Sequence, residues 1–162
     1  MKLLDGVEWG VHACVLLAVL PSEAALPAAR LAEYHGVPSA YLAKHLQALA
    51  RAGVLETVKG PRGGYRLSRP PAEITVLEVV EAIDGDEPAF RCTEIRRRGP
   101  SAVAAREYRT PCGIHRTFTR ADDAWRAELA ATTIADLVTG VVQEAPRVAV
   151  DKAARWLTEA VR

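Results

Sequence analysis

Apolar positions in the first fifty residues fall into three short runs separated by proline and glycine. Asp5 followed three residues later by Glu8 has the Asx-x-x-Glu form of a helix cap. Pro21-Ser22 stops the apolar run after it, predicting a first helix from about Gly6 to Leu20. Pro27 suits the first turn of a second helix, Pro27–Tyr34, closed by Gly36. A third begins at Pro38-Ser39 and ends just before Gly53. Within it Leu42, Leu46 and Leu49 repeat at spacings of four and three, so one face is buried and the other is free. The tight turn His35-Gly36-Val37 joins the last two helices, and the trio reads as a helix-turn-helix.

The period then changes. Val54–Val58 and Tyr65–Ser68 alternate around Lys59-Gly60-Pro61-Arg62-Gly63-Gly64, which predicts a β-hairpin directly after the helix-turn-helix, the position of a wing. Thr75-x-x-Glu78 caps a fourth helix that runs to about Ile83 and ends at Gly85. Residues 85–111 have no clear period and contain Pro88, Gly99, Pro100 and Pro111; a connection this long in a small domain is usually functional or disordered. Phe118, Ala121, Trp125 and Leu129 then mark a long amphipathic helix. Ala153, Trp156, Leu157, Ala160 and Val161 form a second helical stripe, which serves either as core or as a subunit interface. The predicted fold class is mainly α with a small β-wing, a winged helix-turn-helix followed by a long helix.

Composition narrows the function. The chain has 162 residues, 49% apolar and 25% charged, which is ordinary for a globular protein and excludes disorder. The net charge of +1 is unevenly placed: residues 38–70 carry Lys44, Arg51, Lys59, Arg62, Arg66 and Arg69 against Glu56 alone. A neutral chain with its positive charge gathered in one stretch has the footprint of a nucleic-acid reader. No run reaches the ~18 apolar residues of a membrane span, and no signal peptide is recognised, so a cytoplasmic protein without a membrane partner is expected. Cys14, Cys92 and Cys112 do not form a secreted disulfide framework. An enzyme using Cys112 as nucleophile is excluded because no base, orienting acid and oxyanion site accompany it.

The free face of the third helix is expected to carry Ser39, Ala40, Tyr41, Lys44 and His45 into a major groove of double-stranded DNA. Ser39 and Tyr41 bond phosphate or bases, and Lys44 neutralises a phosphate. Lys59 and Arg62 at the wing tip suit the DNA backbone or adjacent minor groove, with Gly63 and Gly64 permitting close approach. The plain alternative is a solvated charged face with a tight turn.

The stretches Tyr41-Leu42-Ala43-Lys44, Leu49–Val54, Gly60–Leu67 (including Gly63 and Tyr65) and Ile74–Gly85 resemble the Rrf2 family, over about residues 1–140. These are bacterial winged-helix transcription regulators that dimerise through a long helix, and several carry an iron–sulfur cluster. The resemblance implies a homodimer, adds Tyr65 to the DNA-reading set, and divides the chain into a DNA-binding domain (1–85), a cluster-binding loop (86–117) and a dimerisation helix with C-terminal helices (118–162). Ala43 departs from the glutamate that many relatives have, which bears on operator sequence rather than on DNA binding.

Relatives that hold a cluster usually place three cysteines in the loop after the fourth helix, whereas this loop has only Cys92 and Cys112. Cys14 lies among Val11, Leu17 and Ala18 and is read as core. Glu8 and His12 are four apart and share one helix face; taken alone they are a capping glutamate and a surface histidine. The runs Gly6-Val7-Glu8-Trp9, His12, Ala89–Arg96 and Cys112 are, however, similar to the redox-sensing actinobacterial branch of the family, the RsrR-like regulators. That resemblance implies a [2Fe–2S] cluster held by Glu8, His12, Cys92 and Cys112, with Trp9 either reporting the redox change or serving as a helix–helix contact. His115, in Cys112-x-x-His115, is the competing ligand. The alternative to redox sensing is a dimeric winged-helix regulator with a structural zinc site at Cys92, Cys112, His115 and one more ligand, or with no cofactor.

Overall fold

The computed structural model describes residues 5–61 and 63–161. Helix α1 (Asp5–Ala18) buries Val7, Ala13, Cys14, Leu16 and Leu17. Asp5 is already helical, so it belongs to the first turn rather than to the cap before it. Helix α2 (Ala28–His35) ends at Gly36, whose φ of 65° is the left-handed conformation that glycine adopts without penalty. Helix α3 (Ser39–Arg51) buries the three leucines of its apolar stripe and leaves the other face in solvent.

The wing consists of β1 (Leu55–Val58) and β2 (Gly64–Leu67), paired antiparallel from Leu55 opposite Leu67 to Val58 opposite Gly64. Leu26 adds a third, one-residue rung. Its N–H donates to the Tyr65 carbonyl at 3.0 Å and its carbonyl accepts from the Tyr65 N–H at 2.9 Å. A Cβ on Gly64 would collide with the Leu26 backbone, so this docking requires glycine.

Helix α4 (Val76–Asp84) opens with a full capping box: the Thr75 hydroxyl accepts from the Glu78 N–H, and the Glu78 carboxylate accepts from the Thr75 N–H. Helix α6 (Ile134–Glu144) opens the same way with Thr133 and Asp136. The two caps face each other. The Val76 N–H donates to Thr132 and the Ile134 N–H to Ile74, both at 2.9 Å. Ile134 is thereby sealed into the same core as Leu42, Leu46 and Leu49, each fully buried. Burying a leucine or isoleucine stabilises by about 1.5–3 kcal/mol, which fastens the C-terminal helices to the first core.

Between α4 and α6 the chain is irregular from Gly85 to Cys112, with short 3₁₀ turns at Ile95–Arg97 and Ala105–Glu107. Helix α5 (Gly113–Ala131) comes next, and none of its 19 residues is buried. Trp125 and Leu129 lean on Val7, Val76 and Val80, while Ile114 and Phe118 are 62% and 49% exposed. Arg126 anchors its base, bonding Asp122, Glu81 and the Asp86 carbonyl. The C-terminal stripe lies on α7 (Arg147–Ala160) and its cap, and it packs within the chain. Trp156 meets Tyr34 of α2 at 4.8 Å between ring centroids, with the Arg30 guanidinium over the indole.

Candidate functional site

The exposed face of α3 presents Ser39, Ala40, Tyr41 and Lys44, with Tyr41 65% exposed. His45 departs from the expectation. Its ring turns inward against Gly6 of α1 and meets Trp9 edge-on at 6.2 Å. Burial, then the neighbouring Lys44 charge, hold its pKa below the ordinary histidine value. The reason is steric: Gly6 has no side chain, and the imidazole fills that space. Tyr65 is half-buried and packs against the core, and its backbone carries the Leu26 rung. Gln47 and Arg51 continue the exposed face and are absent from the sequence-based set, although their spacing of three and seven from Lys44 is the signal that finds them.

The basic stretch divides by partner. Arg66 is spent on Glu56 and Glu23, which hold its pKa up. Arg69 pairs with Glu78 and bonds the Gly53 and Glu73 carbonyls. Among the described residues Lys44, Arg51 and Lys59 have no carboxylate partner, and all three are exposed. Gly63 closes the wing turn through its N–H to Gly60 at 2.9 Å; a Cβ there would strike the Val58 carbonyl. Arg62 lies outside the described residues.

Glu8 and His12 stand exposed on α1, and the His12 ring lies 5.7 Å from that of His35 on α2. The pKa of His35 is held down by burial and then by His12. Cys14 is fully buried, and burial pushes its thiol up to about 12, as a core cysteine requires.

The loop thiols are organised differently. Cys112 is buried and occupies the N-cap position of α5, next to the first backbone N–H groups of that helix. The backbone N–H groups of His115 and Ile114, with the Arg96 charge, hold its pKa below the ordinary thiol value against the effect of burial, which favours the thiolate that metals bind. Cys92 donates to Glu94 at 3.5 Å and accepts from the Glu94 N–H at 3.4 Å. Arg96 grips both Glu94 oxygens, at 3.0 and 2.8 Å, and lies within electrostatic reach of Cys112. Phe90 packs on His115 and stacks on Phe118, and the His115 Nδ1 is buried without a partner. Glu94, Arg96 and Tyr108 are also absent from the sequence-based set, since contacts across an aperiodic loop leave no sequence signal. Among the described residues no three His, Cys, Asp or Glu side chains converge as a ligand set, so Glu8 and His12 do not join Cys92 and Cys112 within one chain.

A helix-turn-helix, a glycine-closed wing docked on it and an exposed cationic helix face define a winged-helix DNA-binding regulator. The chain belongs to the Rrf2 family of transcriptional regulators: the family model, described as an iron-dependent transcriptional regulator, matches residues 3–140. The HTH-type transcriptional regulator IscR of Aliivibrio salmonicida is 36% identical over 92 residues, 57% of this chain and 55% of that protein. Protein aau3 of Rhizobium meliloti is 36% identical over 108 residues, 67% of this chain and 66% of its own length. The chain thus spans between about half and two thirds of these curated relatives. CymR, the global cysteine regulator of B. subtilis, has a similar fold, with a TM-score of 0.68 at 21% identity over 86% of this chain and 97% of that one. T. potens IscR does too, at 0.67 and 22% over 90% and 93%. Among the described residues no helix is long and apolar enough to cross a membrane.

Proposed function

We propose that the chain acts in the cytoplasm as a homodimeric regulator whose affinity for double-stranded operator DNA depends on the redox state of a [2Fe–2S] cluster. In this reading Cys92 and Cys112 hold one iron, and Glu8 and His12 of the second copy hold the other. The observation that carries it is the thiols themselves: Cys112 is buried at a helix N-terminus with its pKa held down, and Cys92 is bonded to Glu94, which Arg96 clasps within electrostatic reach of Cys112. The chemistry of the donors fits. Thiolates suit iron, and His in place of Cys is a known variant of such centres. One chain supplies only half of the set, and α5 leaves Ile114 and Phe118 exposed beside the pair, which favours a second copy as source of the rest. The family's description as iron-dependent agrees.

When bound, the cluster supplies a one-electron change of charge. The chain's own residues connect that site to the DNA-reading face. Glu8 and His12 flank Trp9 on α1, and Trp9 touches His45 of the recognition helix α3. A shift at α1 therefore moves α3 directly, and the pose of two recognition helices decides operator fit. Lys44, Arg51 and Lys59, with Arg62, hold phosphates, while Ser39 and Tyr41 meet bases.

The unpartnered Nδ1 of His115 favours a second reading, a zinc site drawing on Cys92, Cys112, His115 and one further ligand, which likewise requires groups that do not converge within one chain among the described residues. Absorption spectra separate the two. Protein purified without oxygen, or reconstituted with iron and sulfide, is expected to be red-brown and to lose colour in Cys92→Ala and Cys112→Ala, but not in Cys14→Ala. Glu8→Ala and His12→Ala are expected to shift the spectrum. Colourless protein after reconstitution, or changes confined to His115→Ala, would overturn the assignment.

A further inference from the structure

Within the loop, three elements converge on Arg96. Glu94 is the one non-glycine among the described residues with a positive φ, 49°, a costly conformation that persists where surrounding contacts enforce it. That turn aims both its N–H and its carboxylate at the Cys92 sulfur. The Arg96 guanidinium clasps the carboxylate with two bonds and lies 4.5 Å above the Tyr108 ring. The Tyr108 hydroxyl returns a bond to the Arg96 carbonyl, closing a ring of contacts over a twelve-residue separation. Cys112 lies within electrostatic reach of the guanidinium. Its Nε–H is buried and unpartnered, a donor left for an incoming acceptor.

We propose that Arg96 is the positioning residue of the loop: clasped by Glu94 and laid on Tyr108, it holds Cys92 and Cys112 as a pair assembled before any metal arrives, and sets a fixed positive charge beside Cys112. The inference rests on the reading of Cys92 and Cys112 as ligands. Only arginine meets all the requirements at once. The planar fork matches a carboxylate, the flat face stacks on an aromatic ring, and the charge is permanent; lysine keeps only the charge.

The test uses the full chain without metal. Dibromobimane, a short bifunctional reagent, forms two C–S bonds with neighbouring thiols, releases two bromides and two protons, and fluoresces when bridged. The wild type is expected to bridge residues 92 and 112, located by peptide mass spectrometry. Arg96→Gln is expected to slow bridging about tenfold or more, the size of effect seen when outer partners of ligands are lost. Arg96→Lys should fall between, and Arg97→Gln, at an exposed neighbour, should match wild type. Melting curves are expected to superimpose, since the loop lies outside the core. Bridging at the wild-type rate in Arg96→Gln, or no bridge in the wild type, overturns the proposal. In protein reconstituted with iron and sulfide, Arg96→Gln should lower the reduction potential and Arg96→Lys should preserve it; equal potentials in all three overturn the role of the charge. Arg96-dependent bridging in a wild type that takes up no cluster upholds Arg96 and overturns the cofactor reading.

Discussion

Charge partnering in the basic stretch makes a quantitative prediction about DNA binding. Among the described residues Lys44 and Lys59 are exposed without carboxylate partners, whereas Arg66, on the second strand of the wing, is held by Glu56 and Glu23. Each phosphate neutralised contributes about −0.9 to the slope of log K against log salt. In a dimer Lys44→Ala removes two such contacts, so the slope is expected to become shallower by about 1.8. Between 50 and 200 mM salt the wild type should then lose about 12-fold more affinity than the variant. Lys59→Ala should behave alike, and the double variant additively if, as proposed, helix face and wing tip meet different phosphates. Arg66→Gln should leave the slope unchanged and show its loss in stability and in wing docking. The assay is fluorescence anisotropy with operator DNA over that salt range, repeated on an unrelated duplex. A slope unaffected in the double lysine variant, or shallower in Arg66→Gln by as much as in Lys44→Ala, would refute the assignment of free and spent cations.

Two further predictions concern stability. Gly64→Ala places a methyl group against the Leu26 backbone at a φ of 154°, so the wing rung must open; urea unfolding is expected to show a loss of about 1–3 kcal/mol, and an unchanged midpoint would count against the docking. Cys14 holds its proton more tightly folded than unfolded, so the stability it lends is complete below the ordinary thiol value of 9.0 and declines as pH rises toward about 12. Cys14→Ala should lack that decline, so the stability gap between the two proteins should narrow from pH 8 to pH 10.5; a constant gap would show that the thiol is not sequestered.

Much of this protein was legible in the sequence because the relevant physics is local. Helix ends follow from Gly36, Gly53 and the Thr75–Glu78 box, whose partners lie within four residues. The leucine stripe of α3 fixes which face is buried, and so which face is left to solvent. Burial of Cys14 follows from its apolar neighbours on the same helix. The tertiary structure decided what depends on groups far apart in the chain. His45 lies on the expected helix, but its ring fills the space over Gly6, 39 residues earlier in the chain, and meets Trp9. Arg66 counts as a basic residue in any sum, yet it is paired with Glu23 and Glu56. The helices after residue 131 join the first core because Thr75 and Thr133, each a local cap, also pair with each other. The Glu94–Arg96–Tyr108 assembly has no sequence period at all. Periodicity records which side of an element meets the core; which distant charge or ring fills a given space is settled only when the elements pack.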